Sequence, residues 1–173
     1  RTSNPPITLI CADNVNITTC KTQDEIDAAF EDWLEEFKTT GGCNSFARLE
    51  SEPTAPLACG GSVSVTYRAV DDFGCSNETC TRTFTVTPPA LVINCPASNL
   101  TIPACTSAQA AQTLLDNYKA LFSFSGGCNA SAKFSAVTLP DPCVGGTVNI
   151  TYTVLSDCDT KTCTKSITRT ANP

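Results

Sequence analysis

The residues in this chain best equipped to do chemistry are its twelve cysteines. They stand at positions 11, 20, 43, 59, 75 and 80, and again at 95, 105, 128, 143, 158 and 163, in 173 residues without histidine or methionine. A cysteine can ligate a metal, attack as a nucleophile or close a disulfide. Tetrahedral ligation favours Cys-x-x-Cys pairs or histidine partners, and neither occurs. A nucleophilic thiol needs a neighbouring base, and no histidine can serve. Disulfides remain, and these form and persist in oxidising, extracellular settings. The second six cysteines follow the first six by 84, 85, 85, 84, 83 and 83 residues. The chain is therefore one unit written twice, and three disulfides are expected inside each copy: Cys11, Cys20, Cys43, Cys59, Cys75 and Cys80 in the first, Cys95, Cys105, Cys128, Cys143, Cys158 and Cys163 in the second.

Other chemistry is poorly served. Asp24, Glu25, Asp27, Glu31, Asp32, Glu35 and Glu36 crowd one stretch, and carboxylates could hold calcium or exchange protons. The corresponding stretch of the second copy has only Asp116, so the acids read as the solvated back of a helix, placed partly by its dipole. Asp71-Asp72 is read the same way, because Leu155-Ser156 replaces it. Gly41-Gly42 and Gly60-Gly61 lack the lysine and following helix of a phosphate loop. Asn16, Asn77, Asn99, Asn129 and Asn149 begin Asn-x-Ser/Thr sequons, glycan acceptors only in a eukaryotic secretory route. No catalytic, cofactor or metal residue is expected.

The formal charge of −6 is uneven: residues 1–89 carry 6 basic and 13 acidic side chains (−7), and residues 90–173 carry 5 and 4 (+1). Such a chain repels phosphate backbones, which argues against nucleic acid. No apolar run has the length of a membrane span. The amino terminus, Arg1 to Pro6, reads as a linker rather than a signal peptide.

These cysteines must be positioned by helices and strands. Between Cys20 and Cys43, Thr22 and Glu25 form a capping box, and Ile26, Phe30, Trp33, Leu34 and Phe37 recur at helical spacing. Trp33 is in phase with this stripe and reads as core. Gly41-Gly42 is expected to stop the helix. Between Cys105 and Cys128 the same device is read with Thr106 and Gln109 as the box, Leu114, Leu115, Tyr118, Leu121 and Phe122 as the face, and Gly126-Gly127 as the stop. Residues 7–11 and 91–95 read as opening strands, and short second strands precede each helix. Val63, Val65, Tyr67 and Ala69 alternate in the plainest strand, and Thr79 to Thr87 is its hairpin partner. Gly145 to Leu155 and Thr162 to Thr170 repeat that hairpin, after a strand from Lys133 to Leu139. Residues 44–58 are expected to be irregular because of Pro53 and Pro56. Pro88-Pro89 closes the first copy, giving domains 1–89 and 90–173, and Pro173 stands where a further repeat could follow. Short alternating strands suggest a mainly β chain: two tandem immunoglobulin-like β-sandwiches, each with one inserted amphipathic helix.

Six cysteines per copy allow fifteen pairings. Cys75 and Cys80 flank a hairpin tip and are expected to pair across it. Cys20 and Cys43 bracket the helix, leaving Cys11 with Cys59 if the first strand runs parallel to the last. The second copy then has Cys95–Cys143, Cys105–Cys128 and Cys158–Cys163. The rival arrangement joins Cys11 to Cys43 and Cys20 to Cys59.

Ile7-Thr8-Leu9-Ile10-Cys11, Leu91-Val92-Ile93-Asn94-Cys95-Pro96, the Cys-helix-Gly-Gly-Cys-Asn element and Cys59 to Tyr67 (Cys-Gly-Gly-Ser-Val-Ser-Val-Thr-Tyr), with the closing hairpins, resemble the hyalin-repeat-like (HYR-like) domains of giant surface and gliding adhesins of Bacteroidota. The resemblance spans nearly the whole chain, twice. It departs at Cys143-Val144-Gly145-Gly146, which has one residue more before the glycines, and at the acidic first helix. It implies an extracellular, cell-surface stalk repeat exported by the type IX route, without catalytic residues. The expected function is a disulfide-stabilised spacer in a long adhesin or filament, with neighbouring repeats as partners. The alternative is a module that binds a glycan or protein ligand through loop residues such as Phe46 and Phe73.

Overall fold

The computed structural model describes residues 5–74 and 78–173. The chain divides into two compact units, Arg1–Pro88 and Pro89–Pro173, with the division between the paired prolines. The first unit runs β1 (Thr8–Ile10), β2 (Val15–Ile17), α1 (Gln23–Leu34), β3 (Lys38–Thr40), β4 (Phe46–Leu49), β5 (Gly61–Val70) and β6 (Thr79–Val86). The second runs β7 (Val92–Asn94), β8 (Leu100–Ile102), α2 (Ala108–Lys119), β9 (Ser123–Ser125), β10 (Ser131–Phe134), β11 (Gly146–Leu155) and β12 (Thr160–Arg169). The chain is mainly β.

Each unit holds a four-stranded sheet and a two-stranded ribbon. The sheet order is β2-β6-β5-β4 in the first unit and β8-β12-β11-β10 in the second, and the ribbons are β1-β3 and β7-β9. The long hairpins β5-β6 and β11-β12 are antiparallel, whereas β2 runs parallel to β6 and β8 parallel to β12. The strand parallel to the last one is thus the second of each unit. The opening strand instead lies antiparallel to β3 or β9.

Period-two alternation puts Val65, Tyr67 and Ala69 of β5, with Phe84 and Val86 of β6, on the buried face. The helix closes that face. Ile26, Phe30, Trp33 and the following Phe37 pack on the sheet residues in one core, and Ala111, Leu115, Tyr118 and Phe122 do so on Ile150, Tyr152, Val154 and Ile167. Aromatic rings fill the first core: Phe84 meets Phe30 edge-on at 5.3 Å, and Phe37 stacks on Tyr67 at 4.2 Å. Leu121, assigned by its spacing to the apolar face, is 61% exposed because α2 has already ended.

Several local expectations need correction. Helix α1 ends at Leu34, not at the glycine pair, because Lys38–Thr40 leaves the helix to pair with Thr8–Ile10. Gly41 instead makes the turn after that strand at φ +77°, where a β-carbon would overlap the carbonyl oxygen of Pro6. Gly126 does the same against Ala90. The second helix is capped by Ser107, not Thr106: the Thr106 hydroxyl donates to Pro103 O at 2.7 Å, and Ser107 Oγ accepts from Ala110 N–H. Residues 46–49 are a strand paired with β5. Pro53 and Pro56 bound that strand rather than deny it. The strand expected over Lys133 to Leu139 is Ser131–Phe134.

Candidate functional site

No constellation of polar side chains is shared by the two units in the manner of an active site. What they share is a set of staples. Cys11 is bonded to Cys80 and Cys95 to Cys163, each with a Cα separation of 6.5 Å. Register explains the choice. β2 pairs with β6 at an offset of 69 (Val15↔Phe84), and the same offset four residues earlier sets Cys11 beside Cys80 (80 − 11 = 69). Cys80 alternates with Phe84 and Val86, so its side chain lies on the covered face, away from the hairpin tip. The expected bonds Cys11–Cys59, Cys75–Cys80, Cys95–Cys143 and Cys158–Cys163 are therefore not made; Cys75 itself lies outside the described residues.

Cys20, Cys59, Cys128 and Cys158 are also in disulfides. The Gln23 side chain donates to Pro56 O at 3.1 Å and accepts from Ala58 N–H at 2.9 Å, which draws the segment before Cys59 to the start of α1 beside Cys20. Asp157 N–H donates to Cys128 O at 2.9 Å and so brings Cys158 to Cys128. The pairs these contacts bring into reach are Cys20 with Cys59 and Cys128 with Cys158. The expected Cys105–Cys128 bond is thereby replaced. For Cys20–Cys43, the backbone carbonyl of Cys43 accepts from Asp72, near the far end of the β5-β6 hairpin, while a helix of 12 residues, about 18 Å long, starts next to Cys20. Cys43 is half-buried, and Cys105 and Cys143 are exposed thiols.

Two further devices repeat. Asn44 Nδ2 donates to Asp72 Oδ2 at 2.6 Å, and Asn129 Nδ2 donates to Asp157 Oδ2 at 2.7 Å. Both asparagines have left-handed φ, +52° and +51°, which their short polar side chains tolerate. Asp72 thus has a counterpart after all, Asp157, and the pair is a turn clamp. The Trp33 indole N–H donates to Asp13 O at 2.7 Å, and the Tyr118 hydroxyl donates to Ser98 O at 2.7 Å. Each pair is 85 residues from its fellow (33 and 118, 13 and 98). Burial pushes the Tyr67 and Tyr118 phenols above their usual range.

The acidic residues of α1 line its solvent side, apart from half-buried Asp27, which accepts from Gln23. Glu25 does structural work. Its carboxylate accepts from Thr22 N–H at 2.9 Å and pairs with Lys21 at 3.0 Å, which lowers its pKa from the ordinary glutamate value, the backbone bond counting most. A lowered pKa means that the capping stabilisation is present above the unfolded-state pKa and is lost as pH falls through the folded one. An NMR titration is expected to place the Glu25 midpoint below that of a free glutamate, and Thr22→Pro, which removes the amide donor, is expected to move it up.

On the outer face of each long hairpin hydroxyls pair across strands: Ser64 with Thr83 and Thr66 with Thr81, then Thr147 with Thr168 and Thr151 with Thr164, at 2.8–2.9 Å. Each such pair contributes roughly 0.2–1 kcal/mol. Of the sequons, Asn16 and Asn99 accept hydrogen bonds through their side-chain oxygens from Thr87 and Ser166, the Asn129 amide is spent on Asp157, and Asn149 lies within β11. Asn77 lies outside the described residues. Sequence reasoning missed Arg169, a buried cation that donates to Thr106 O at 2.8 Å and Pro140 O at 3.2 Å. Its register position, opposite Gly146, corresponds to Val86 opposite Gly61, so the repeat pattern offered no signal for it.

Among the described residues no group of three or more His, Cys, Asp or Glu side chains is placed to hold a metal ion, and no helix is long and apolar enough to cross a membrane. Comparison with known protein families and with characterised proteins finds no match.

Proposed function

We propose that the chain is a structural repeat segment of a long extracellular adhesin or surface filament, with each unit a variant of the immunoglobulin-like sandwich acting as a disulfide-stabilised spacer. The observation that carries this reading is the duplication itself. Sheet order, strand register, helix-on-sheet core, Asn–Asp turn clamp and the staple from the opening segment to the last strand all recur at one spacing. Repetition of a stapled unit yields length and resistance to pulling and proteolysis. The HYR-like resemblance adds export to a bacterial cell surface by the type IX route. The reading includes no catalytic step.

A second reading, ligand binding, is favoured by one observation. Phe46 and Phe73 are 53% and 70% exposed, and the pairing of Phe46 with Val70 sets both near one end of the β5-β6 hairpin. The second unit has Ser131 and Cys158 at the corresponding positions, so any such site belongs to the first unit alone.

One experiment addresses both. Antibodies against the chain are expected to label intact cells of the source organism, and electron microscopy of the labelled material is expected to show elongated or beaded particles. Labelling only after lysis would sink the spacer reading. The double substitution Phe46→Ser and Phe73→Ser is expected to leave attachment of those cells unchanged; a loss of attachment would favour the ligand-binding reading.

A further inference from the structure

Cys105 and Cys143 are exposed thiols, whereas Cys20 and Cys59, which precede them by 85 and 84 residues, are both in disulfides. Two residues at the end of the second unit draw the exposed pair together. Asn172 accepts from Cys105 N–H through Oδ1 at 2.6 Å, and its own N–H donates to Pro142 O at 2.8 Å. Arg169 bridges Thr106 O and Pro140 O. The segments 105–106 and 140–142 are thus pinned to the same short stretch of chain, with one cysteine on each side.

Two local differences distinguish this pair from its counterpart. Cys105 is held at φ +60°, a left-handed conformation unusual for a residue with a side chain. The extra Val144, 80% exposed, lengthens the turn between Cys143 and β11. At that turn Gly145, at φ +71°, packs so closely that a β-carbon would stand 2.8 Å from Ala171 N.

We propose that Cys105 and Cys143 form a modification site, a solvent-facing dithiol that closes into the second unit's third staple by exchange with a small-molecule disulfide of the glutathione type. One thiolate attacks a sulfur of the small disulfide and expels a thiolate, forming a mixed disulfide. The other cysteine, as thiolate, attacks the protein sulfur of that mixed disulfide and expels the second small thiolate. The two protons lost by the cysteines pass through solvent to the two expelled thiolates. Two protein S–H groups become one S–S bond, and one small disulfide becomes two thiols. Because attack requires access, a dithiol reductant reopens this bond before it reaches Cys95–Cys163, whose Cys163 packs against the core.

The test is a disulfide map of the full chain after incubation with glutathione disulfide and alkylation of the remaining thiols. Digestion after leucine and aromatic residues cuts at Leu100 and at Tyr152, separating Cys105 from Cys95 and Cys143 from Cys158. A crosslinked Cys105–Cys143 peptide, two hydrogens lighter than the two thiol peptides together, is expected. In the Cys105→Ser variant, Cys143 is expected to become alkylatable or to keep a glutathione adduct. Linkage of either cysteine to another partner, persistence of both as alkylated thiols, or a stable adduct on each in the unsubstituted chain would overturn the proposal.

Discussion

Replacing Cys11 and Cys80 together by alanine is expected to destabilise the first unit by about 4 kcal/mol, the loop-closure value for a crosslink of this span. The bond joins residues 69 apart and encloses nearly the whole unit. It ties the segment before β2 to the last strand, so its loss frees both ends of the unit in the unfolded chain. Small domains hold only about 5–15 kcal/mol in total, and an 88-residue unit lies toward the small end of domain sizes. The measurement is urea unfolding followed by the fluorescence of Trp33, which reports on the first unit because it is the only tryptophan in the chain. A midpoint unchanged by the double substitution would show that packing, rather than the staple, holds the unit.

Phe84→Ala is expected to cost about 3–5 kcal/mol in the same assay. Phe84 is 1% exposed and touches the helix through two rings, Phe30 at 5.3 Å and Trp33 at 5.4 Å. Truncation leaves a cavity between helix and sheet that neither can close, because α1 is held at its start by the Gln23 contacts and further along by the bond from Trp33 to Asp13. The Trp33 emission is expected to shift to the red in the folded state as water gains access to the ring. A loss under 1 kcal/mol would mean that α1 collapses onto the gap, and the helix would then not be the rigid lid the contacts describe.

Much of this organisation was legible from residues alone, and the reasons are local. The Thr22–Glu25 capping box needs only residues three apart. The alternation of Val63, Val65, Tyr67 and Ala69 needs only a run long enough for the period of two to register. The short strands were harder. Lys38–Thr40 and Phe46–Leu49 are three and four residues long, too short for a period to emerge, and their partners lie far away in the chain. The equivalence of Trp33 and Tyr118 was concealed because different donors, an indole N–H and a phenol O–H, reach the same backbone carbonyl position. Asp72 and Asp157 were mismatched by one residue, since the hairpin tips differ in length and only the bonds to Asn44 and Asn129 show which carboxylates correspond.

Cysteine number and spacing by themselves determined that the chain is a duplicated unit suited to oxidation, and hydrophobic periodicity determined where its helices and long strands lie. Both are properties of neighbouring residues and of counting. Which cysteine meets which was decided by tertiary structure. The parallel docking of the second strand against the last carries Cys11 to Cys80 and Cys95 to Cys163, and the hydrogen bonds of Gln23 and Asp157 select the other partners. A pairing between distant residues depends on strand register and on which face of the sheet the helix covers. Those are fixed only when the separate elements pack together.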